Sequence, residues 1–263
     1  MAESPSPRVS IAFISYRRPD LLSRSLEALR SALSSGHVEY IVCDDGSPKE
    51  MQDRIGALPA DSFVLARENR GLGANQNAAV AHSRGDFILQ VQDDWVFKGP
   101  KDFLDSVLEV MEEFPDIAFV RLWHNAGLRR AHETRISKKG LTVRVFLPAP
   151  LDSIEESQYL YSDRPHLKRR EFHKAVGSYR EDLRMIAMET EFARRCESMP
   201  ALRFAVIEGY EDLFDHCGIE VSHNPTQRRE NLRQTLAKNP ITGWAWRCYV
   251  RLRYGRDWDR DYK

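Results

Sequence analysis

The chain contains no run of about 18 apolar residues, the length a membrane-spanning helix requires, and 30% of its residues are charged. Its polar start, Met1-Ala2-Glu3-Ser4-Pro5, lacks the apolar core of a secretory signal, so a cytoplasmic location is expected. Cysteine is scarce. The four thiols, Cys43, Cys196, Cys217 and Cys248, are too dispersed for a CxxC zinc site and too few to staple 263 residues, which leaves reduced thiols. Net charge is also missing, because 39 Lys+Arg balance 39 Asp+Glu, and with no RNA-binding motif a nucleic-acid partner is not expected. No internal repeat occurs, and the only biased tract is the Ser/Pro-rich Ala2–Pro7, expected to be a frayed end.

What remains is an ordinary globular composition, 42% hydrophobic, of a length that fits one large α/β domain with a C-terminal extension. Its neutrality hides a polarity. Residues 121–170 hold eleven Lys/Arg against five Asp/Glu, and residues 227–263 hold ten against four, so each segment carries +6 and the remainder −12. Anionic ligands are favoured near the basic half.

Two periodicities alternate along the first half. Val9–Ile14 is a short apolar run ending at Ser15-Tyr16-Arg17-Arg18, after which Pro19 opens a segment with Leu22, Leu26, Leu29 and Leu33 at helical spacing. The pattern repeats. Tyr40–Cys43, Phe63–Leu65, Asp86–Val91 and Ile117–Leu122 read as further strands, and segments ending near Leu58, Gly71–Ser83 and Gly99–Phe114 as helices, the last with Phe103, Val107, Val110 and Met111 inward. Alternation at these lengths predicts a mostly parallel sheet flanked by helices.

In such a sheet ligands collect beyond the carboxyl ends of the strands, and the polar clusters fall there: Tyr16-Arg17-Arg18, Asp44-Asp45 and Gln92-Asp93-Asp94. Adjacent carboxylates repel, and a hard divalent cation relieves that repulsion while leaving positions open for phosphate oxygens. Each Asp-Asp pair is equally readable as a turn or helix cap.

Taken in order, these segments resemble the family 2 glycosyltransferases, whose fold is the type A nucleotide-sugar-binding α/β sandwich. The matching segments are Val9–Tyr16, Asp44-Asp45-Gly46-Ser47, Asn69–Ala78 with its Asn-x-Gly-x-x-x-x-x-Asn-Ala pattern, Gly85-Asp86 and the Asp-x-Asp-like Gln92-Asp93-Asp94. The likeness is strong over Val9–Phe97 and returns at Phe172–Arg195, where Met188-Glu189-Thr190-Glu191 stands in the family's later acidic block. The resemblance implies a catalytic domain over 9–225, with a nucleotide-binding half (9–97), an acceptor-binding half (98–225), residues 1–8 outside it and a helical extension over 226–263. It implies an inverting, metal-dependent transfer of a hexosyl or N-acetylhexosaminyl group from a nucleotide sugar, by family habit a UDP sugar, to a hydroxyl acceptor.

Residue by residue, the resemblance assigns Asp44 or Asp45 to the base, with Ile14, Ser15 and Arg17 beside it, Asn77 and Asp93 to the donor, and Asp94 to Mn²⁺ or Mg²⁺ on the diphosphate. The general base falls to Glu189 or Glu191. Met188 stands where the family carries the first acid, Gln92 where the metal motif begins, and Gln76 where many relatives have Arg. Several type A enzymes take a late histidine as a further metal or diphosphate contact, which singles out His216 and His223. The basic segment Arg129–Lys139 suits a loop over the diphosphate or an anionic acceptor, or a solvated surface. Trp244–Tyr254 mixes aromatic and basic residues, as a helix lying on a membrane surface does, or as one packed on the domain does. Two other functions fit the same fold: a sugar nucleotidyltransferase, disfavoured because Ser15–Arg18 contains no glycine, and a catalytically silent nucleotide-sugar-binding scaffold.

Overall fold

The C-terminal rim of the expected sheet forms as the sequence predicts, because β1, β2 and β4 are buried apolar runs and pair in parallel, with the half-buried β3 added at the edge. The structure is a computed structural model describing residues 7–33, 37–123 and 128–218. Strand β1 (Val9–Ser15) lies between β2 (Val38–Asp44) and β4 (Phe87–Gln92), and β3 (Ser62–Leu65) joins the outer side of β2. Register puts Ser15 opposite Asp44 and Ile14 opposite Gln92, so the three polar loops leave the sheet side by side. Pairing starts just before β1, where Arg8 N donates to His37 O at 2.8 Å, one residue inside the segment expected to lie outside the domain.

Helix α1 (Pro19–Ala32) begins on Pro19, whose missing N–H and fixed φ suit a first turn. It buries Leu22, Leu26 and Leu29 against the odd-numbered face of β1. The other face of β1, with Ala12 and Ile14, packs under helix α3 (Leu72–His82). Helix α2 (Lys49–Gly56) is short, and α4 (Phe103–Glu113) buries all four residues expected inward. The latter starts four residues later than the apolar pattern suggests, because Gly99–Asp102 form a turn in which Phe103 N donates to Pro100 O at 3.2 Å.

The second half is less regular. Among the described residues the main sheet has nine strands in the order β3-β2-β1-β4-β9-β6-β10-β8-β7. It continues through β9 (His166–Arg169), β6 (Ile117–Arg121), β10 (Arg203–Ile207), β8 (Thr142–Phe146) and β7 (Glu133–Ile136). Only β9 and β8 run against the other described strands. A second core of aromatics, including Phe119, Tyr161, Phe172, Tyr179, Phe192 and Phe204, fills the space under α5 (Phe172–Val176) and α6 (Met185–Glu197).

Two short strands complete the rim. Strand β5 (Trp95–Phe97) follows the second acid pair directly and pairs antiparallel with β11 (Phe214–His216), with Trp95 opposite His216. All these elements fall within one unit, Met1–Cys217. His223, the expected helical extension over 226–263 and its aromatic and basic segment lie outside the described residues. No helix of the described residues is long and apolar enough to cross a membrane.

Candidate active site

Asp44 ends β2 fully buried, and its carboxylate is consumed by its own loop. Oδ2 accepts from Ser47 N at 2.8 Å and Gln52 Nε2 at 3.0 Å, and Oδ1 accepts from the Ser47 hydroxyl at 2.5 Å. Ser47 Oγ in turn accepts from Arg17 N at 2.8 Å, which ties the loops after β1 and β2 together. Gly46 makes this possible with φ +71 and by lying flush against the Glu68–Asn69 backbone, where any side chain would clash. Asp45 reaches across to the next loop, accepting from Arg70 N at 2.8 Å and Gly71 N at 2.9 Å. Burial raises its pKa above the usual carboxylate range, and those two backbone donors oppose the rise.

Asp93 and Asp94 leave β4 into a different environment. Asp93 is buried, accepts from Tyr16 N at 3.1 Å and lies 3.4 Å from Arg18 Nε. Burial pushes its pKa up to about 7; the Arg18 charge resists and the neighbouring Asp94 charge adds to the rise. Asp94 Oδ2 takes Arg18 Nη1 at 2.5 Å and faces His216 Nε2 at 3.3 Å, while Oδ1 is buried with no hydrogen-bond partner. Burial pushes the Asp94 pKa up, but His216 and Arg18 together outweigh it, so the net shift is downward. His216 is held by a stack on Trp95, with centroids 4.7 Å apart, and by Cys217 N donating to Asp94 O at 2.8 Å.

The acidic block of α6 splits by direction. Glu189 Oε1 accepts from the Ser162 hydroxyl at 2.9 Å and Asp163 N at 3.0 Å, and the charges of Arg121 and Arg164 act on it. Glu191, two residues on, points away and pairs with Arg195 at 2.8 Å. Met188 fills the second core. Behind Glu189 runs a buried polar chain. Lys168 Nζ donates to Gln90 Oε1 at 2.8 Å and to the Tyr179 hydroxyl at 3.0 Å; the Tyr161 hydroxyl lies 2.8 Å from that of Tyr179 and donates to Asp163 Oδ1 at 2.6 Å. Burial pulls Lys168 down to about 7 against the Asp163 charge. Burial and the Glu189 charge push Asp163 up to about 7.

The other expected site residues scatter. Ser15 is buried at the end of β1 with its hydroxyl beside Asp93, and Ile14 O accepts from Asp93 N at 3.0 Å. Arg17 is exposed, adopts φ +58 and lays its guanidinium over the Tyr16 ring. Asn77 staples α3 to the segment before α6, exchanging hydrogen bonds with Tyr179 N and O at 2.9 and 3.0 Å. In the basic segment, Arg129 pairs with buried Glu197 and Arg135 with Asp116, so both are structural cations.

Four residues of the rim escape sequence reasoning. Arg18 was signalled by Pro19, which makes it the N-cap of α1 and sets it beside the strand ends. Trp95 was signalled by the alternation Trp95-Val96-Phe97 after the acids. Asp163 and Arg121 carry no motif in the sequence, because the contacts that tie them to the site, Asp163 N on Glu189 and Arg121 on the Tyr159 and Leu160 carbonyls, span 26 to 39 positions.

Chemically, the rim offers a buried carboxylate oxygen without a partner, an imidazole nitrogen on the other oxygen of the same carboxylate, and a separate carboxylate flanked by arginines. An orphaned buried oxygen is costly unless something binds it. The carboxylate oxygen suits Mn²⁺ or Mg²⁺ when phosphate oxygens and water complete the shell, and the imidazole donor suits Mn²⁺ better than the harder Mg²⁺. Among the described residues no three His, Cys, Asp or Glu side chains gather as a complete protein cage.

Comparison with known proteins gives the family and the fold. An uncharacterized glycosyltransferase of Haemophilus influenzae is 32% identical over 129 residues, covering 48% of this chain and 41% of that protein. The chain thus spans less than half the length of the curated relatives it matches. S. aureus TarS 1–349 in complex with UDP-GlcNAc superposes with a TM-score of 0.56 at 15% identity, covering 89% of this chain and 67% of that one. The Pyrobaculum calidifontis mannosyltransferase PcManGT, in complex with GDP-Man and Mn²⁺, gives 0.51 at 16%, covering 89% and 64%. At such identities the two structures establish the shared fold alone, that of type A glycosyltransferases. The family model for glycosyl transferase family 2 matches residues 10–179, more than half of the sequence, and the chain belongs to that family.

Proposed function

We propose that the chain transfers a sugar from a nucleoside-diphosphate donor, a UDP sugar, to a hydroxyl acceptor with inversion at the anomeric carbon. The observation that carries this reading is the delivery of His216 by β11 to within 3.3 Å of Asp94, at the end of β4. Two elements more than a hundred residues apart in sequence converge there on one buried carboxylate.

Asp94 and His216 would hold Mn²⁺ or Mg²⁺, which when bound supplies positive charge to the departing diphosphate. Asp93 faces the donor's ribose or sugar. The loops of Asp44-Asp45 and Ser15–Arg17 form the wall against which the nucleobase lies, with Asp45 held rigid by Arg70 N and Gly71 N. Glu189 accepts the proton of the acceptor hydroxyl: its two donors, the Ser162 hydroxyl and Asp163 N, fix the carboxylate. One displacement from the face opposite the leaving group inverts the centre. The UDP-GlcNAc complex of TarS supports a UDP donor, although the GDP-mannose complex of PcManGT shows that the same fold accepts another nucleotide.

Thermal stabilisation against a panel of nucleoside diphosphates and nucleotide sugars, each with Mn²⁺, Mg²⁺ or chelator, tests the proposal, because a ligand of the native state raises its apparent stability. A metal-dependent shift with a uridine nucleotide is expected. No shift with any nucleotide would sink the reading.

A further inference from the structure

The acid pair after β4 has its own counter-charge. Arg18 Nη1 is 2.5 Å from Asp94 Oδ2 and Nε is 3.4 Å from Asp93 Oδ1, so one guanidinium bridges both carboxylates. Its backbone is fixed on both sides. Arg18 O accepts from Leu22 N at 3.0 Å as α1 begins on Pro19, and Arg17 is held at φ +58 with its N–H on Ser47 Oγ. The side chain is about one-fifth exposed, so its tip can leave the acids without disturbing the helix. Asp94 Oδ2 receives both Arg18 and His216, whereas Oδ1 receives neither.

This arrangement sets two cations against each other. A divalent ion held by Asp94 and His216 would share an oxygen and a small buried volume with a guanidinium, and like charges at such separation repel strongly where water is excluded. An arginine displaced from carboxylates remains next to the strand ends, where a diphosphate would lie, and its fork suits phosphate oxygens as well as carboxylates.

We propose that Arg18 is the resident counter-ion of the Asp93–Asp94 pair, competes with the divalent cation for Asp94, and moves onto the nucleotide diphosphate when the cation enters. This rests on reading Asp94 and His216 as the cation's protein ligands. Cation and nucleotide then bind with positive coupling, which is necessarily reciprocal: the nucleotide-free protein holds the cation weakly, and nucleotide tightens it by offering Arg18 a second anionic partner.

Mn²⁺ titration of the full chain followed by electron paramagnetic resonance, with and without UDP, reads this directly and needs no turnover. For the unaltered chain, UDP should tighten Mn²⁺ by about tenfold or more, within the usual range of coupling between sites. Arg18→Gln should bind Mn²⁺ alone about fivefold or more tightly than the unaltered chain, and UDP should then add less. Arg18→Lys keeps the charge but loses the bridging fork, so it should fall between the two and serves if the glutamine variant does not fold. Asp94→Asn should abolish the binding. Mn²⁺ affinity unchanged or weakened in both Arg18 variants, with Asp94→Asn inactive in binding, overturns the competition alone. Full Mn²⁺ binding by Asp94→Asn overturns the cation site and the role of Arg18 with it.

Discussion

The same dipeptide, Asp-Asp, ends the two strands that flank β1, and the two copies have opposite fates. Asp44 and Asp45 are saturated by loop donors, chiefly backbone N–H groups: Ser47, Arg70 and Gly71, with Gln52 and the Ser47 hydroxyl completing the set. Asp93 has one backbone donor, Tyr16 N, whereas Asp94 is met by the side chains of Arg18 and His216 and one of its oxygens has no partner. A carboxylate saturated by loop donors is held in the framework; one left with an unpartnered oxygen could take a ligand. Sequence cannot separate these cases, because the difference lies in the donors around each acid.

Substitutions across the rim break or sharpen this contrast. The largest effect is expected from Asp94→Asn, which should lower sugar transfer by about a thousandfold through loss of charge stabilisation and remove metal-dependent donor binding while the melting temperature stays nearly unchanged. Full activity in that variant would make the two acid pairs equivalent. Glu189→Gln should keep donor affinity and lose transfer by about a hundredfold or more; equal activity would return the base to Glu191. Asp44→Ala should do the reverse of Asp94→Asn, costing about 2–4 kcal/mol of stability in denaturant unfolding, because it leaves the Ser47 and Gln52 donors buried without an acceptor.

Lys168 supplies a pH test. Its folded pKa of about 7 lies below the value near 10.4 expected in the unfolded chain. From about pH 7 to 10 the unfolded state therefore binds more protons, and stability rises with pH through that window. The cost of burying the ammonium is fully present below it. Lys168→Met should flatten this rise, as read by denaturant midpoints between pH 7.5 and 9.5, and a persistent slope would assign the proton elsewhere. The smallest effect belongs to Glu191→Gln: loss of one helical i,i+4 pair with Arg195, worth about 0.3–0.5 kcal/mol, with transfer unchanged.

The first half was legible because β1, β2 and β4 are buried on both faces, and a parallel strand covered on both faces reads as an unbroken apolar run. Strand β9 shows why the second half was not. Its sequence, His166-Leu167-Lys168-Arg169, looks like surface, yet His166 and Lys168 are fully buried and Lys168 is satisfied by Gln90 and Tyr179. Strand β7 is short, and most of its residues are exposed, so it presents no apolar pattern. The acid pairs were visible as motifs. Their partners were not, since Arg18 meets Asp94 across 76 positions and Ser162 meets Glu189 across 27. Arg17, chosen from the same basic pair, is exposed, and the neighbour one residue on makes the contact.

The pairing of β11 with β5 orders events during synthesis. A chain emerging from the ribosome at about 5–20 residues per second folds from its N-terminus, so β1, β2 and β4 can form their sheet while residues after 200 are still being added. The imidazole that faces Asp94, and the Cys217 N–H that pins its loop, arrive only with residues 216 and 217. On the function proposed above, the loops beyond β1, β2 and β4 would be in place several seconds before the imidazole that would help to hold a cation, and transfer would wait for that last strand.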